Sequence, residues 1–451
     1  MIKFAEYKEQ YRATLRLAAP VVMSQAGILL VQLVDTAMVG RLGAIPLAGV
    51  SFGSTVFFFI FIFSMGLSMG LTPLVGEMYA TGNHKSSARY FQNSLLLYFV
   101  VGLLAVALQL ATIPLMHHMG QPPEVVAQAI PYYRYMVWSM IPLMIYCAFK
   151  QFLEGVGNTK VTMYTVITAN AINILLNWLL IYGKWGFPQM GAAGAGLATM
   201  ISRAITPVMM LIYFVSAPKF RRYLSFFSRP LIEWRRIANL LRVGFPIAAQ
   251  MLLEGGTFAL TTLMMGWIGT LELAGNKIAM DIANMAFMMI QGIAAATTIR
   301  VSHEFGRRNM RELRLAAGAS YHIQLAWNAL TALLFISLRN YIPRIFTDDP
   351  DVIRMASHLL IFVAAFQFSD GLQVISIGVL RGMQDVKSIM SIAFLSYVVI
   401  NIPLGCLLAF VLDWGPGGLW TGLIVGLSTA ALLLMRRYRR QYKLLTAKYQ
   451  D

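Results

Sequence analysis

Cysteine is almost missing from this chain. Only Cys147 and Cys406 occur in 451 residues, both inside apolar runs, so neither a disulfide framework nor a cysteine-based metal site is available. Charge is scarce too. Asp, Glu, Lys and Arg make up 12% of the residues, against about 25% in ordinary soluble domains. No Walker-type phosphate loop occurs, and no nucleophile or metal-ligand spacing stands out, so an enzyme is not expected and no cofactor is called for. No cleavable signal peptide is evident, because the first sixteen residues (MIKFAEYKEQYRATLR) are polar and the apolar run after them is too long.

What is plentiful is apolar surface. Hydrophobic residues reach 58% and the mean hydropathy is +0.65. A spanning helix needs roughly 20 apolar residues, and twelve such segments can be read, at about 13–39, 46–74, 90–115, 127–152, 160–183, 191–217, 238–265, 276–300, 316–338, 352–379, 386–412 and 417–436. The expectation is an all-α polytopic membrane protein with twelve transmembrane helices. A β-barrel would show short alternating segments instead.

The net charge of +17 comes from 36 Lys and Arg against 19 Asp and Glu. On a soluble chain that excess would suggest nucleic acid. Here 27 of the 36 fall on the side of the membrane that holds the N-terminus and seven on the other. The positive-inside rule then places both termini in the cytoplasm of a multi-pass plasma (bacterial inner) membrane. Membrane lipid, with anionic headgroups against the basic segments, is the expected partner, and nucleic acid is not.

The chain repeats itself. GRLGAIPLAG (40–49) matches GWIGTLELAG (266–275) at an offset of 226, as do Pro20 and Pro246, Gly66 and Gly292, Thr72 and Thr298, and Asn83 and Asn309. FLEGVGNTK (152–160) aligns with VLRGMQDVK (379–387) at 227. Six spans per repeat insert both copies in one orientation, giving two six-helix lobes related by a pseudo-two-fold axis along the membrane normal. The expected divisions are an N-lobe at 1–217, a basic linker at 218–237, a C-lobe at 238–436 and a basic tail at 437–451. Pro230 reads as a helix start within an interfacial stretch.

Polar side chains inside the spans carry the functional reading, since an ionisable group at mid-membrane costs about 2.5–3.5 kcal/mol. In span 1, Gln25, Gln32 and Asp35 share a helical face. Span 5 carries Asn170, Asn173 and Asn177 at i, i+3 and i+7, and span 6 offers Thr199. Amide and hydroxyl oxygens beside a carboxylate suit a hard monovalent cation, while interhelical hydrogen bonding is the plainer alternative. Span 7 carries Gln250, Glu254, Thr257 and Thr261 as one stripe, with Gly255 and Gly256 allowing close approach or a bend. A structural role for Glu254 would require a buried cation, and span 7 offers only Arg242 near its end. Span 10 carries Gln367, Asp370 and Gln373, and span 8 carries Asp281 and Asn284 nearer an interface. The acids do not obey the repeat: Asp35 aligns with Thr261, Glu254 with Ile28 and Asp370 with Leu143. Arg203, mid-span in segment 6, has no neighbour in sequence to pair with.

VDTAMVGRLG (34–43), the glutamate before Gly-Gly in span 7, and FSDGLQVISIGVLRGMQD (368–385) resemble the multidrug and toxic compound extrusion transporters, in particular their NorM-like branch. The resemblance covers about residues 10–440. It implies a V-shaped pair of six-helix lobes with a central cavity, and export of lipophilic, often cationic, drug-like compounds in exchange for Na⁺ or H⁺. It implies that Asp35 couples transport, with Asn173, Asn177 and Thr199 completing a cation site around it. Position 177, an aspartate in some members, is an asparagine here. It also implies that Glu254 and Asp370 form an acidic pair in the second lobe. Gln32, Gln250, Thr257, Asp281, Asn284, Gln367 and Gln373 are expected to line the cavity. The expected state is a monomer with no obligate protein partner.

Two other transport classes compete. A flippase for lipid-linked oligosaccharide has related architecture, but an anionic pyrophosphate calls for Arg and Lys in the cavity. A carrier of the major facilitator type would show a basic signature between spans 2 and 3, where this chain reads GEMYATGNHKSSAR.

Overall fold

The computed structural model describes residues 4–227, 229 and 231–450; Pro230 and the last tail residue lie outside them. Among the described residues there is no strand. The spans are α1 (Phe4–Gly40), α2 (Ala44–Ala80), α3 (His84–Met116), α4 (Pro123–Gly155), α5 (Thr159–Tyr182) and α6 (Ala192–Ser216), then α7 (Trp234–Ile268), α8 (Thr270–Gly306), α9 (Met310–Ser337), α10 (Pro350–Gly382), α11 (Val386–Val411) and α12 (Gly415–Gln450). A short helix, Pro218–Ser225, lies between α6 and α7. Eleven of the twelve are long and apolar enough to cross a membrane. The twelfth, α9, holds Arg311, Glu312, Arg314, His322, Gln324 and Asn328. The helices overrun their apolar segments, so the polar start of the chain is helical from Phe4 and the basic tail continues α12.

Polarity is arranged inside out. Leu30, Leu104, Leu108 and Leu333 stand about 60% exposed, while Asn177, Gln324, Asn328 and Gln373 are fully buried. A leucine facing lipid tails loses nothing, and polar side chains find partners only against other helices. The apolar interior is still dense where it forms, as around Phe91, Phe152 and Phe214 and around Phe366, Trp420 and Leu423.

The internal repeat recurs as repeated contacts. Thr72 on α2 donates to the Gln151 carbonyl of α4 at 3.2 Å. Its counterpart Thr298 on α8 donates to the Gly378 carbonyl of α10 at 3.1 Å. One turn on, a Cβ at Gly155 would lie 2.9 Å from Val75 Cβ, and one at Gly382 would lie 2.7 Å from Val301 Cβ. Small residues let these helix pairs approach closely, the usual means of packing in a membrane. Asn83 and Asn309 cap α3 and α9 in the same way, each side chain accepting from the N–H three residues on.

Two compact units divide the chain, and their limits differ from the expected cut at 217 and 238. One holds residues up to Val22 and from Ala249 onward; the other holds Met23–Ala248. Each limit falls two residues after a proline inside a helix, Pro20 in α1 and Pro246 in α7, where the ladder loses one hydrogen bond. The start of α1 therefore belongs with α7–α12, and the start of α7 with α2–α6. The contacts give the reason. Gly292 on α8 leaves room for Ala18 and Val22 of α1, and Gly244 on α7 lies against the Leu67 carbonyl and Gly70 of α2. Arg300 on α8 donates to the Gln10 carbonyl at 3.0 Å and to Thr14 Oγ1 at 2.6 Å. In the other unit, Glu233 at the head of α7 pairs with Arg89 of α3 and with Arg236, while its N–H donates to Asn93. Burial alone would raise the Glu233 carboxyl, but Arg236 and Arg89 outweigh it and hold the group below the usual carboxylate range.

Candidate functional site

One polar network lies within the unit Met23–Ala248. The Asp35 carboxylate of α1 accepts from Asn177 Nδ2 of α5. The same amide donates to Asn173 Oδ1 at 3.1 Å, and Asn173 donates to Thr199 Oγ1 of α6 at 3.4 Å. Spacing explains this: Asn173 and Asn177 are one turn apart on one face of α5. Asn173 and Asn177 are buried while Asp35 is half-buried. Asn177 Oδ1 is buried without a hydrogen-bond partner, an orphaned acceptor beside a carboxylate. Such a pair offers two hard oxygen ligands to a cation or proton. Asn170 contributes differently, its Nδ2 lying where a Cβ on Gly27 of α1 would be only 3.0 Å away. Gln32 is exposed.

Arg203, unassigned from sequence, donates to Ser139 Oγ at 2.8 Å and lies 5.5 and 5.6 Å over the rings of Phe57 and Phe61. Its charge is held by a hydroxyl and aromatic faces.

The second network lies within the other unit. Gln250 Nε2 donates to Glu254 Oε2 at 2.6 Å, one turn along α7. Gln373 Nε2 of α10 approaches Glu254 Oε1 at 3.4 Å and also donates to the Tyr397 hydroxyl of α11. Tyr397 sits in a π-helical stretch, Phe394–Asn401, that widens α11 ahead of Pro403; such stretches re-aim side chains at functional sites. Asp370 is one turn from Gln373, 3% exposed, with Oδ1 unpartnered. Through Gln373, the turn of α10 that carries Asp370 meets Glu254 of α7. Next to Asp370, a Cβ on Gly371 would lie 2.6 Å from the side-chain nitrogens of Gln324 and Asn328, so α9 brings its amides up to the bare backbone of α10. Gln367 Oε1 accepts from Thr331 of α9 at 2.5 Å.

Other expected cavity residues are placed elsewhere. Asp281 pairs with Lys277 one turn away at 2.8 Å, and that lysine is 72% exposed. Asn284 is exposed. Thr257 and Thr261 are buried but donate to carbonyls of their own helix. A Cβ at Gly256 would meet nothing within 4 Å, so no neighbour requires glycine there. Met264 and Met265 belong to the packed core.

Five participants escaped the sequence reading: Tyr397, Gln324, Asn328, Thr331 and Arg381. Arg381, in the last turn of α10, reads as an ordinary basic residue at the membrane edge. Its guanidinium Nη2 in fact reaches Gln250 Oε1 at 2.6 Å. The cationic partner sought for Glu254 therefore comes from α10 and acts through an amide. Gln324, Asn328 and Thr331 had a readable signal, their spacing of i, i+4 and i+7.

Comparison with known proteins bears on the family and the fold. The MatE family model matches residues 20–179 and 246–407, one match per repeat. The "Probable multidrug resistance protein NorM" of Xylella fastidiosa strain Temecula1 is 34% identical over 435 residues, covering 96% of this chain and 93% of the relative. The multidrug resistance protein NorM of Photobacterium profundum is 31% identical over 438 residues, 96% of each. Among solved structures, a multidrug resistance MATE family transporter in an outward-facing conformation superposes with a TM-score of 0.89 at 20% identity, over 97% of both chains. With two copies of the family model along its length and relatives above 30% identity from end to end, the chain belongs to the MatE family of multidrug and toxic compound extrusion transporters.

Proposed function

We propose that this protein is a cation-coupled antiporter, using Na⁺ or H⁺, that exports lipophilic and often cationic drug-like compounds by alternating access between its lobes. The observation that carries the reading is the set of carboxylates inside spans whose direct hydrogen-bond partners are neutral amides. Asp35 is met by Asn177, Glu254 by Gln250 and Gln373, and Asp370 keeps a free oxygen. A buried carboxylate without a contacting cation is neutralised by binding something positive. A coupling cation in one half of the cycle and a cationic drug in the other meet that need. The two lobes rock so that each species enters from its own side. One-for-one exchange of monovalent cations moves no net charge and draws on the ion gradient alone. The basic bias supports a bacterial inner membrane location with both termini cytoplasmic, and we propose that the protein works as a monomer with no cofactor beyond its coupling ion.

The test is exchange in proteoliposomes loaded with a fluorescent organic cation, with Na⁺ and pH gradients imposed separately. Asp35→Asn and Glu254→Gln are each expected to reduce exchange to the leak of empty vesicles while inserting normally. Wild-type exchange in both variants would refute the carboxylate mechanism. Movement of a lipid-linked sugar in place of the organic cation would move the protein to the flippase class.

A further inference from the structure

The coupling reading gives Arg381 no task. Arg381 lies eleven residues beyond Asp370 on α10, about 16 Å along the helix axis at 1.5 Å per residue. It is half-buried and reaches across to α7, where its Nη2 donates to Gln250 Oε1 at 2.6 Å. The other end of that amide donates to Glu254 Oε2 at 2.6 Å. One glutamine thus joins a permanent cation to the carboxylate, its carbonyl facing the positive charge and its N–H₂ facing the negative one. The repeat did not supply this arrangement, since Arg381 aligns with Glu154 and Gln250 with Ser24.

We infer that Arg381 is a positioning residue that sets how tightly the Glu254/Asp370 site holds its coupling cation. This rests on the coupling reading above and adds a residue and a direction to it. A fixed positive charge one amide away competes with an arriving Na⁺ or proton, so it weakens cation binding and speeds release. Arginine suits the post because it stays charged and its planar fork holds a directed hydrogen bond. The charged and titratable groups acting on the network are Glu254 from α7, Asp370 and Arg381 from α10, and Tyr397 from α11. Asp370 favours cation binding, and the neutral Tyr397 hydroxyl orients Gln373. Arg381 is the member that opposes it.

The experiment measures drug exchange in proteoliposomes against NaCl concentration at fixed pH, and against pH without Na⁺. Arg381→Gln is expected to lower the half-saturating cation concentration roughly tenfold, as for removal of a nearby unit charge at an effective dielectric of about 20. Turnover should fall as release slows. Arg381→Lys keeps the charge and should stay within about threefold of wild type. Gln250→Met leaves both charges and cuts the link, so it should shift the midpoint the same way by a smaller factor, and it decides the matter if Arg381→Gln fails to fold. An unchanged midpoint in the folded variants, or an equal shift in Arg381→Lys and Arg381→Gln, overturns the inference. Wild-type exchange indifferent to both Na⁺ and pH would instead overturn the coupling reading itself.

Discussion

The two repeats pack alike and are charged differently. Thr72 and Thr298 make the same bond to a carbonyl across a helix pair, and Gly155 and Gly382 sit in the same close contact. Along those paired helices, however, Leu143 of α4 stands where α10 has Asp370, and Glu154 stands where it has Arg381. Glu154 is buried, 3.9 Å from Lys150 of its own helix, whereas Arg381 reaches another helix. Backbone approach in a membrane depends on small residues at fixed positions, so both copies keep them. A buried charge depends on its immediate partners, so each was settled separately in each copy.

That contrast is broken most severely by moving an acid. Asp370→Asn is expected to lower exchange at least tenfold with little change in thermal stability, because Asp370 Oδ1 has no partner to lose. Leu143→Asp places a carboxyl at the equivalent depth in the other repeat, where Leu143 is 9% exposed. It should cost about 2.5–3.5 kcal/mol and sharply reduce the amount of folded protein in the membrane. Normal accumulation of Leu143→Asp would mean that α4 tolerates the charge as α10 does, and the contrast would fail.

A smaller effect tests the shared half of the comparison. Gly155→Ala and Gly382→Ala each force a methyl into a valine on the facing helix. Each should destabilise by about 1–3 kcal/mol, the usual cost of overpacking. The measurement is the melting midpoint of both variants in one detergent. Similar losses support duplicated packing, while a loss in only one would show that the repeats have drifted apart.

These outcomes also mark what could be read without coordinates. Span number, the repeat and the face shared by Asn173 and Asn177 follow from hydropathy and from 3.6-residue geometry. Arg381 did not follow, because a long basic side chain at a helix end usually snorkels outward, and its inward reach depends on where α7 lies. Asp281, read as nearer an interface, pairs with the exposed Lys277 one turn away on α8. The division of the units inside α1 and α7 was hidden as well, since both helices continue past Pro20 and Pro246 without a change in pattern.

The smallest effect concerns how the exchanged helix starts are fastened. The α1 start is gripped by Arg300 through Gln10 and Thr14, with Gln10 donating to Glu312 and an exposed Arg311–Glu6 pair beside it. The α7 start is gripped by charge, through Glu233 between Arg89 and Arg236. The Glu233 carboxyl titrates below its unfolded value, so its contribution is complete above the ordinary carboxylate range. It fades as pH falls through the depressed folded-state value. With Glu233 about a quarter exposed, solvent screening limits the contribution to roughly 1 kcal/mol or less. Hydrogen exchange in the first two turns of α7 should therefore quicken severalfold in Glu233→Gln at neutral pH, with the variant and wild type converging once the pH has fallen below the depressed folded-state value. The first turns of α1 should exchange alike in both proteins. Equal quickening at the two helix starts would show that they are fastened as one, and the independence of the two grips would be lost.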